Sequence, residues 1–165
     1  MPGLKSIPRT EFGDGFSLAP GDLHANLLHA LSREAQPFAP TTIPTTGGAE
    51  ATFKAKAAGT LAGVSVGGKD ALAANNTNYL TWTVTNKGST GTGTTAMLAT
   101  SPSGVNTTKS TGGTALTVYH PNALTLATTG LTIARDDVIT VTATVSGTLA
   151  NTVSQAWAEL EITPS

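Results

Sequence analysis

Three stretches of this chain alternate between apolar and polar side chains with a period of two, which is typical of a β-strand with one buried face. They occupy Tyr79–Thr85, Val138–Val145 and Ser154–Ile162. In the first stretch Leu80, Trp82 and Val84 would face one way while a tyrosine and three threonines face the other. Threonine on the wet face is what an antiparallel sheet with one buried side requires. The alternation therefore predicts an antiparallel sheet.

Five weaker strand candidates accompany these three. They are Ala51–Ala57, Leu61–Val66, Thr95–Thr100, Ala115–Tyr119 and a segment around Leu124–Ile133. Turn-forming residues separate the candidates every eight to twelve residues, and none of the intervening segments has a helical period. This pattern predicts an all-β fold, an antiparallel β-sandwich of about eight strands, and favours a jelly-roll-like arrangement.

The chemistry of the chain changes near residue 40. Residues 1–40 contain five of the nine prolines and three of the four phenylalanines, and we expect them to form an extended N-terminal arm. Within it, leucines spaced by four predict one short helix over residues 21–35, ended by Pro37. Residues 41–49 are rich in threonine, proline and glycine and predict a linker. Residues 50–165 would be the β-sandwich domain.

Charged side chains make up 12% of the 165 residues, about half of what soluble domains usually carry. The formal net charge is −1 and there is no cysteine. No basic patch is present, so nucleic acid is not an expected partner. No apolar run is long enough to cross a membrane, and no export signal is visible near the start.

Neither catalytic chemistry nor a metal site is indicated. His24 and His29 are five residues apart and would not share a helix face, and His120 is distant in sequence. The pair Asp136-Asp137 precedes a strand and is better explained as a turn than as a calcium site. No nucleophile motif or dedicated carboxylate pair stands out, because ten acidic residues always offer some pairs. The chain is therefore predicted not to be an enzyme and to need no cofactor.

Apolar side chains in the arm have no core of their own to join. They either pack back onto the β-domain or anchor on another subunit, and both alternatives are open. The anchor candidates are Phe12, Phe16, Leu18, Leu23, Leu27, Leu31 and Phe38. Two further aromatic residues, Trp157 and Tyr79, face outward by the alternation and are candidates for a surface interface. A one-residue bulge would turn Trp157 inward.

Two segments resemble small jelly-roll proteins of tailed-bacteriophage virions. Residues 71–93, ALAANNTNYLTWTVTNKGSTGTG, are similar to the "aNdTNyvtftvtNkG" stretch of that group. Residues 131–150, LTIARDDVITVTATVSGTLA, are similar to its penultimate strand, entered by an acidic turn and left through Ser-Gly-Thr. With the last strand, the resemblance covers roughly residues 50–162. The closest functional class within that group is the capsid decoration, or cement, protein, which is often a trimer.

This resemblance implies a structural virion protein on the capsid exterior, made in the host cytoplasm. Its partners would be the major capsid protein and other copies of itself, as a homotrimer, with residues 1–40 clasping the shell or a neighbouring subunit. One alternative is a tail or head-fibre module that binds host glycans through exposed Tyr79, Tyr119 or Trp157. Another is a bacterial adhesin or pilus-like domain, which should carry an export signal or a donor strand.

Overall fold

The computed structural model describes residues 41–100 and 106–165, and in these residues the chain is all-β with no helix. Nine strands form two antiparallel sheets, consistent with a β-sandwich. The strands are β1 (Thr41–Ile43), β2 (Gly48–Lys54), β3 (Gly59–Gly67), β4 (Tyr79–Asn86), β5 (Thr95–Ala96), β6 (Asn122–Ala123), β7 (Thr132–Ile133), β8 (Val138–Ser146) and β9 (Val153–Pro164). The predicted helix over residues 21–35 lies outside the described residues.

The two sheets divide the strands almost alternately along the chain. The first sheet has the order β1-β9-β3-β6, and β7 also pairs with β3. The second sheet has the order β2-β8-β4-β5. Its centre is the pairing of β4 with β8, which runs from Tyr79 opposite Ser146 to Asn86 opposite Ile139. The edges of this sheet are β2 and the two-residue β5.

The predicted alternation is confirmed in the three strongest strands. Leu80, Trp82 and Val84 of β4 are buried, as are Ile139, Val141 and Ala143 of β8. In β9 the buried side chains are Val153, Ala156, Ala158 and Leu160, and Gln155, Glu159 and Glu161 are exposed. Buried residues from both sheets form one apolar cluster. Burial of these faces is the main force that holds the sheets together.

Two irregularities interrupt the pairing of the first sheet. In β3 the register with β9 shifts between Leu61 and Gly63. In β9 the register with β1 shifts where Gln155 has a φ of +46°. A bulge adds one residue to one strand, which lets Val153 and Ala156 both face the core although three positions separate them. Trp157, beyond the bulge, still alternates with the buried Ala156 and Ala158.

Several weaker sequence expectations differ from the structure. The stretch predicted as a linker, 41–49, supplies β1 and the first two residues of β2, because Thr41 and Ile43 pair with β9. Residues 115–119 form no strand; Leu116 makes only an isolated bridge with Leu72. The candidates at 95–100 and 124–133 shorten to Thr95–Ala96 and Thr132–Ile133. A low apolar content and frequent threonine do not distinguish a strand from a loop at these positions.

Backbone and side-chain hydrogen bonds together extend the pairing beside β4. The amide of Trp82 donates to Asn106 O at 2.9 Å, and the amide of Thr108 donates to Leu80 O at 2.9 Å. The hydroxyl of Thr108 accepts a hydrogen bond from the amide of Leu80 at 2.8 Å. Residues 106–108 therefore continue the edge that β5 begins, although they are not a regular strand.

Candidate interaction surface

The sequence places most candidate anchors before residue 41. Phe12, Phe16, Leu18, Leu23, Leu27, Leu31 and Phe38 all lie outside the described residues, and so do His24 and His29. Among the described residues, the candidate site is therefore the surface of the two sheets. Its candidates from sequence are Trp157, Tyr79 and Tyr119.

The two segments that carry the resemblance lie side by side. β4 comes from the first segment and β8 from the second, and the polar residues at their ends shape the turns. Asn75 Oδ1 accepts hydrogen bonds from the amides of Thr77 at 2.7 Å and Asn78 at 2.9 Å. Asn78 Oδ1 accepts from the amide of Thr148 at 3.0 Å, which joins the start of β4 to the end of β8. These asparagines are engaged in building the fold.

The opposite end of the same strand pair is held by a buried polar cluster. Asn86 Nδ2 donates to Asp137 Oδ2 at 2.8 Å, and Asn86 Oδ1 accepts from the amide of Gly88 at 2.7 Å. Asp137 Oδ2 also accepts from the amide of Ala134 at 2.9 Å. Asp137 is thus a turn-building residue, as the sequence predicted, and its neighbour Asp136 forms a 3.0 Å ion pair with Lys54.

Tyr79 is half-buried at the start of β4, on the face opposite to the buried Leu80. The ammonium group of Lys109 lies 5.5 Å from the centre of its ring, within the range of a cation–π contact. A lysine over the ring covers the face that a ligand would stack on. Because Tyr79 belongs to the second sheet, it is not brought together with Trp157 of the first.

Trp157 lies over the end of the neighbouring strand. It pairs with Gly67, where a Cβ atom would come within 2.4 Å of Trp157 Cζ2 and 2.6 Å of Trp157 Cε2. Because Gly67 has no Cβ, there is room for the indole against β3. The side chain is half-buried rather than fully exposed, on the outer face of the first sheet.

An exposed tyrosine bonds to residues at the two strand ends that also carry Gly67 and this tryptophan. Tyr119 is 61% exposed, and its amide donates to Gly68 O at 2.8 Å. Its hydroxyl lies 3.4 Å from Gln155 Oε1, two residues before Trp157 in β9. Val118, 49% exposed, is the only other large hydrophobic among the described residues that is this exposed. We call Val118, Tyr119, Gln155 and Trp157 the aromatic patch.

The sequence predicts Tyr119 and Trp157 as exposed aromatic candidates, but it does not predict the backbone conformation that positions them. Tyr119 and Gln155 both adopt left-handed φ values, +53° and +46°, which non-glycine residues rarely adopt. No sequence pattern signals a left-handed tyrosine or glutamine. Two adjacent glycines are a common turn signal, but here Gly67 ends β3 and lies under the tryptophan.

Two open grooves lie on the described surface. One, of about 330 Å³, is lined by Gly63, Ser65, Ala123 and the outward carboxylates of Glu159 and Glu161. The other, of about 300 Å³, lies between residues 106–114 and 120–125 and includes His120. Within residues 41–100 and 106–165 no three histidine or acidic side chains are grouped so that they could hold a metal ion.

The carboxylate of Asp70 has a lowered pKa. Asp70 Oδ2 accepts hydrogen bonds from the hydroxyl and from the amide of Ser154, and these donors lower the pKa of Asp70 below 3.8. Burial opposes this lowering of the pKa, and Lys69 makes a smaller contribution that lowers it further. The pair connects the loop after β3 to the start of β9, so its role is structural.

Comparison with known proteins returned no match to a family model, to a curated protein or to a solved structure. Among the described residues, no helix is long and apolar enough to cross a membrane.

Proposed function

We propose that this chain is a structural virion protein that binds the outside of an assembled phage capsid and stabilises it. The observation that carries the proposal is the pairing of its two resembling segments as β4 and β8. Their characteristic asparagines and aspartate hold the two ends of that pair. Residues that are far apart in sequence thus serve one local structure, which supports a resemblance in fold as well as in composition.

The proposal includes a jelly-roll arrangement. In a jelly roll, successive strands cross between two four-stranded sheets. The order β1-β9-β3-β6 opposite β2-β8-β4-β5, with β7 beside β6 on the same edge of β3, is compatible with that topology. β6 and β7 would together occupy the place of one strand.

A cement role suits the chemistry of the surface. A protein that binds only the assembled shell stabilises that shell by mass action, and several weak contacts made at once raise occupancy. The proposed partners are the major capsid protein and further copies of this chain, as a trimer. Because the chain is nearly neutral, attachment should depend on apolar burial, and we expect occupancy to fall less than about tenfold between low and moderate salt.

Immunogold microscopy tests the location directly. Antibody raised against residues 50–165 should label the heads of virions from the source culture. Label confined to tails or fibres would contradict decoration and favour host recognition. Absence of label from virions would contradict both and favour the adhesin alternative.

The arm is tested by truncation. A chain that starts at Ala39 removes all seven candidate anchors but keeps Thr41, which pairs with Ala156 in β9. We expect this variant to keep its β-sheet circular dichroism and to lose binding to isolated heads. A full-length variant with Phe12, Phe16 and Leu18 changed to alanine is the matched control for chain length. Undiminished binding of both variants would refute the arm.

The aromatic patch favours a second candidate function, glycan recognition by a tail or fibre module. An exposed tyrosine within hydrogen-bond distance of a glutamine amide, on the strand that also carries Trp157, offers an apolar face and a polar group, which is the chemistry that sugar rings bind. A glycan array should then give reproducible hits that Tyr119→Ala removes. Tyr79→Ala is the matched control, because Tyr79 lies on the other sheet under Lys109.

A further inference from the structure

The free edge of β2 differs from the other sheet edges. β2 has seven residues and pairs with β8 on one side only, and no strand among the described residues pairs with its opposite side. The other edge strands are two or three residues long. A long open edge is a template on which another extended chain can pair.

The register of β2 shows which backbone groups face that edge. Gly47 O accepts from the amide of Val145, and the amide of Ala55 donates to Asp137 O, both at 2.8 Å. In an antiparallel pair, residues that bond to the partner strand alternate with residues that point away from it. The odd-numbered residues of β2 therefore bond to β8. Glu50, Thr52 and Lys54 direct their amides and carbonyls to the free edge.

The sequence of this edge is complementary to itself. Around Thr52, residues at equal distances in the two directions are Ala51 and Phe53, Glu50 and Lys54, and Ala49 and Ala55. Glu50, Thr52 and Lys54 are exposed, whereas Ala51 and Phe53 are each only 9% exposed and face the core. An antiparallel second copy centred on Thr52 would thus match opposite charges outside and small with large side chains inside.

We infer that β2 is the site at which a second copy of this chain pairs, antiparallel, about a two-fold axis through Thr52. Thr52 bonds to Thr52 of the second copy, and Glu50 and Lys54 each bond to the other residue in the second copy. The four-stranded sheet of each copy, ordered β2-β8-β4-β5, then joins that of the other copy in one continuous sheet. This contact is two-fold, so it is separate from any three-fold contact and does not depend on the proposed virion role.

Like charges disfavour two of the other symmetric registers, whereas the axis through Thr52 pairs opposite charges twice. An axis through Glu50 would place two glutamates opposite each other, and an axis through Lys54 would place two lysines opposite each other. A shift of one residue in the pairing would bring core-facing side chains to the outer face. Charged residues on an edge usually prevent association, but here they have opposite signs at symmetric positions.

Glu50 and Lys54 already have partners within the chain, but these contacts are weak enough not to prevent contact with a second copy. Lys54 forms an ion pair with Asp136 in which the two side chains are 68% and 57% exposed. Glu50 Oε2 accepts a hydrogen bond from the hydroxyl of Thr142 at 3.0 Å, also at the surface. Exposed pairs of this kind contribute little to stability, so both side chains can also contact a second copy.

Analytical ultracentrifugation of the full-length chain over a range of concentrations tests the inference. We expect a concentration-dependent step that doubles the mass. Glu50→Lys should raise the dissociation constant of that step by at least about tenfold, since it places lysine opposite lysine twice. The exchange Glu50→Lys with Lys54→Glu should restore the step. Glu159→Lys, the same charge change on the outer face of β9, should leave it unchanged.

A backbone variant provides an independent test. Thr52→Pro removes an amide that faces the free edge and leaves the bonds to β8 intact, so we expect it to abolish the step while the thermal unfolding temperature stays close to that of the native chain. Thr52→Val keeps the amide and is its control. A chain with no doubling step at any concentration would overturn the inference. So would a step that Glu50→Lys and Thr52→Pro leave unchanged, or one that the charge exchange fails to restore.

Discussion

Asn86 Nδ2 donates a hydrogen bond of 2.8 Å to Asp137 Oδ2, and this contact joins the end of β4 to the turn that precedes β8. Both residues are only 8% exposed. Asp137 Oδ2 also accepts a hydrogen bond from the backbone amide of Ala134. The side-chain oxygen of Asn86, Oδ1, accepts one from the backbone amide of Gly88. A single asparagine thus satisfies a buried charge and closes its own turn.

Asn86→Ala should destabilise the fold substantially. The change removes one of the two hydrogen bonds to the buried Asp137 Oδ2 and the Asn86 Oδ1 acceptor of the Gly88 amide, and hydrogen bonds to charged groups are worth about 1.5–3 kcal/mol. Urea unfolding at neutral pH measures the loss. Asn76→Ala is the control: Asn76 Oδ1 accepts from the amide and hydroxyl of Thr111 at the exposed surface, and its loss should cost under about 1 kcal/mol. Equal losses of unfolding free energy in Asn86→Ala and Asn76→Ala would show that the buried hydrogen bonds of Asn86 stabilise the fold no more than exposed ones.

Asn106 should be the most sensitive asparagine beside β4. Its Nδ2 donates to Ala99 O and Thr125 O, both at 2.9 Å, and its Oδ1 accepts from the amide of Thr125. Asn106→Ala should cost about 2–4 kcal/mol through these lost bonds. Because its φ is +59°, Asn106→Gly should cost about 1 kcal/mol less than the alanine variant. A lower urea midpoint for Asn106→Gly than for Asn106→Ala would contradict a left-handed conformation at this residue.

Gly67→Ala tests the position of Trp157. A new Cβ would lie 2.4 Å from Trp157 Cζ2, so the indole must leave the surface of β3. The chain has two tryptophans, and their indole N–H signals can be followed by NMR. We expect the Trp157 signal, assigned with Trp157→Phe, to shift while that of the buried Trp82 stays in place.

Gly63→Ala is the control for this prediction. There a Cβ would meet only the side chain of Glu161, with its carboxylate at 3.3 Å and its Cβ at 3.6 Å, and the carboxylate can move away. A thermal unfolding temperature lowered equally by the two variants would argue against a specific contact between Gly67 and Trp157.

How far the sequence predicts this fold depends on how a strand is stabilised. β4, β8 and β9 each bury a regular apolar face, and their alternation predicts both the strand and the side that faces the core. β1 is different, because Thr41–Ile43 is held by pairing with β9 and has only Ile43 buried among its three residues. A strand held by its neighbours has little signal of its own, which explains the linker predicted there.

The same reasoning applies to the candidate surface. Trp157 can be assigned to the outer face from its place between Ala156 and Ala158, and the structure confirms that side. The contact of Tyr119 with Gln155, two residues before Trp157, involves the loop after β3 and left-handed φ values at Tyr119 and Gln155. These are long-range or conformational features that no period of two or 3.6 residues carries. The symmetry around Thr52 can be read in the sequence, but only the pairing with β8 shows that it lies on a free edge.

The Asp70–Ser154 contact predicts a defined pH dependence. The serine hydroxyl and amide lower the pKa of Asp70 below 3.8, so the unfolded chain binds a proton at a higher pH than the folded chain. The contribution to stability is therefore complete above the unfolded pKa and is lost as pH falls through the folded pKa. Asp70→Asn should lower the thermal unfolding temperature at neutral pH, and the gap to the native chain should close under acid. Thr60→Ala, at an exposed position of β3, is the control, and its difference in unfolding temperature from the native chain should not change with pH. A difference for Asp70→Asn that also stays constant under acid would refute the linkage.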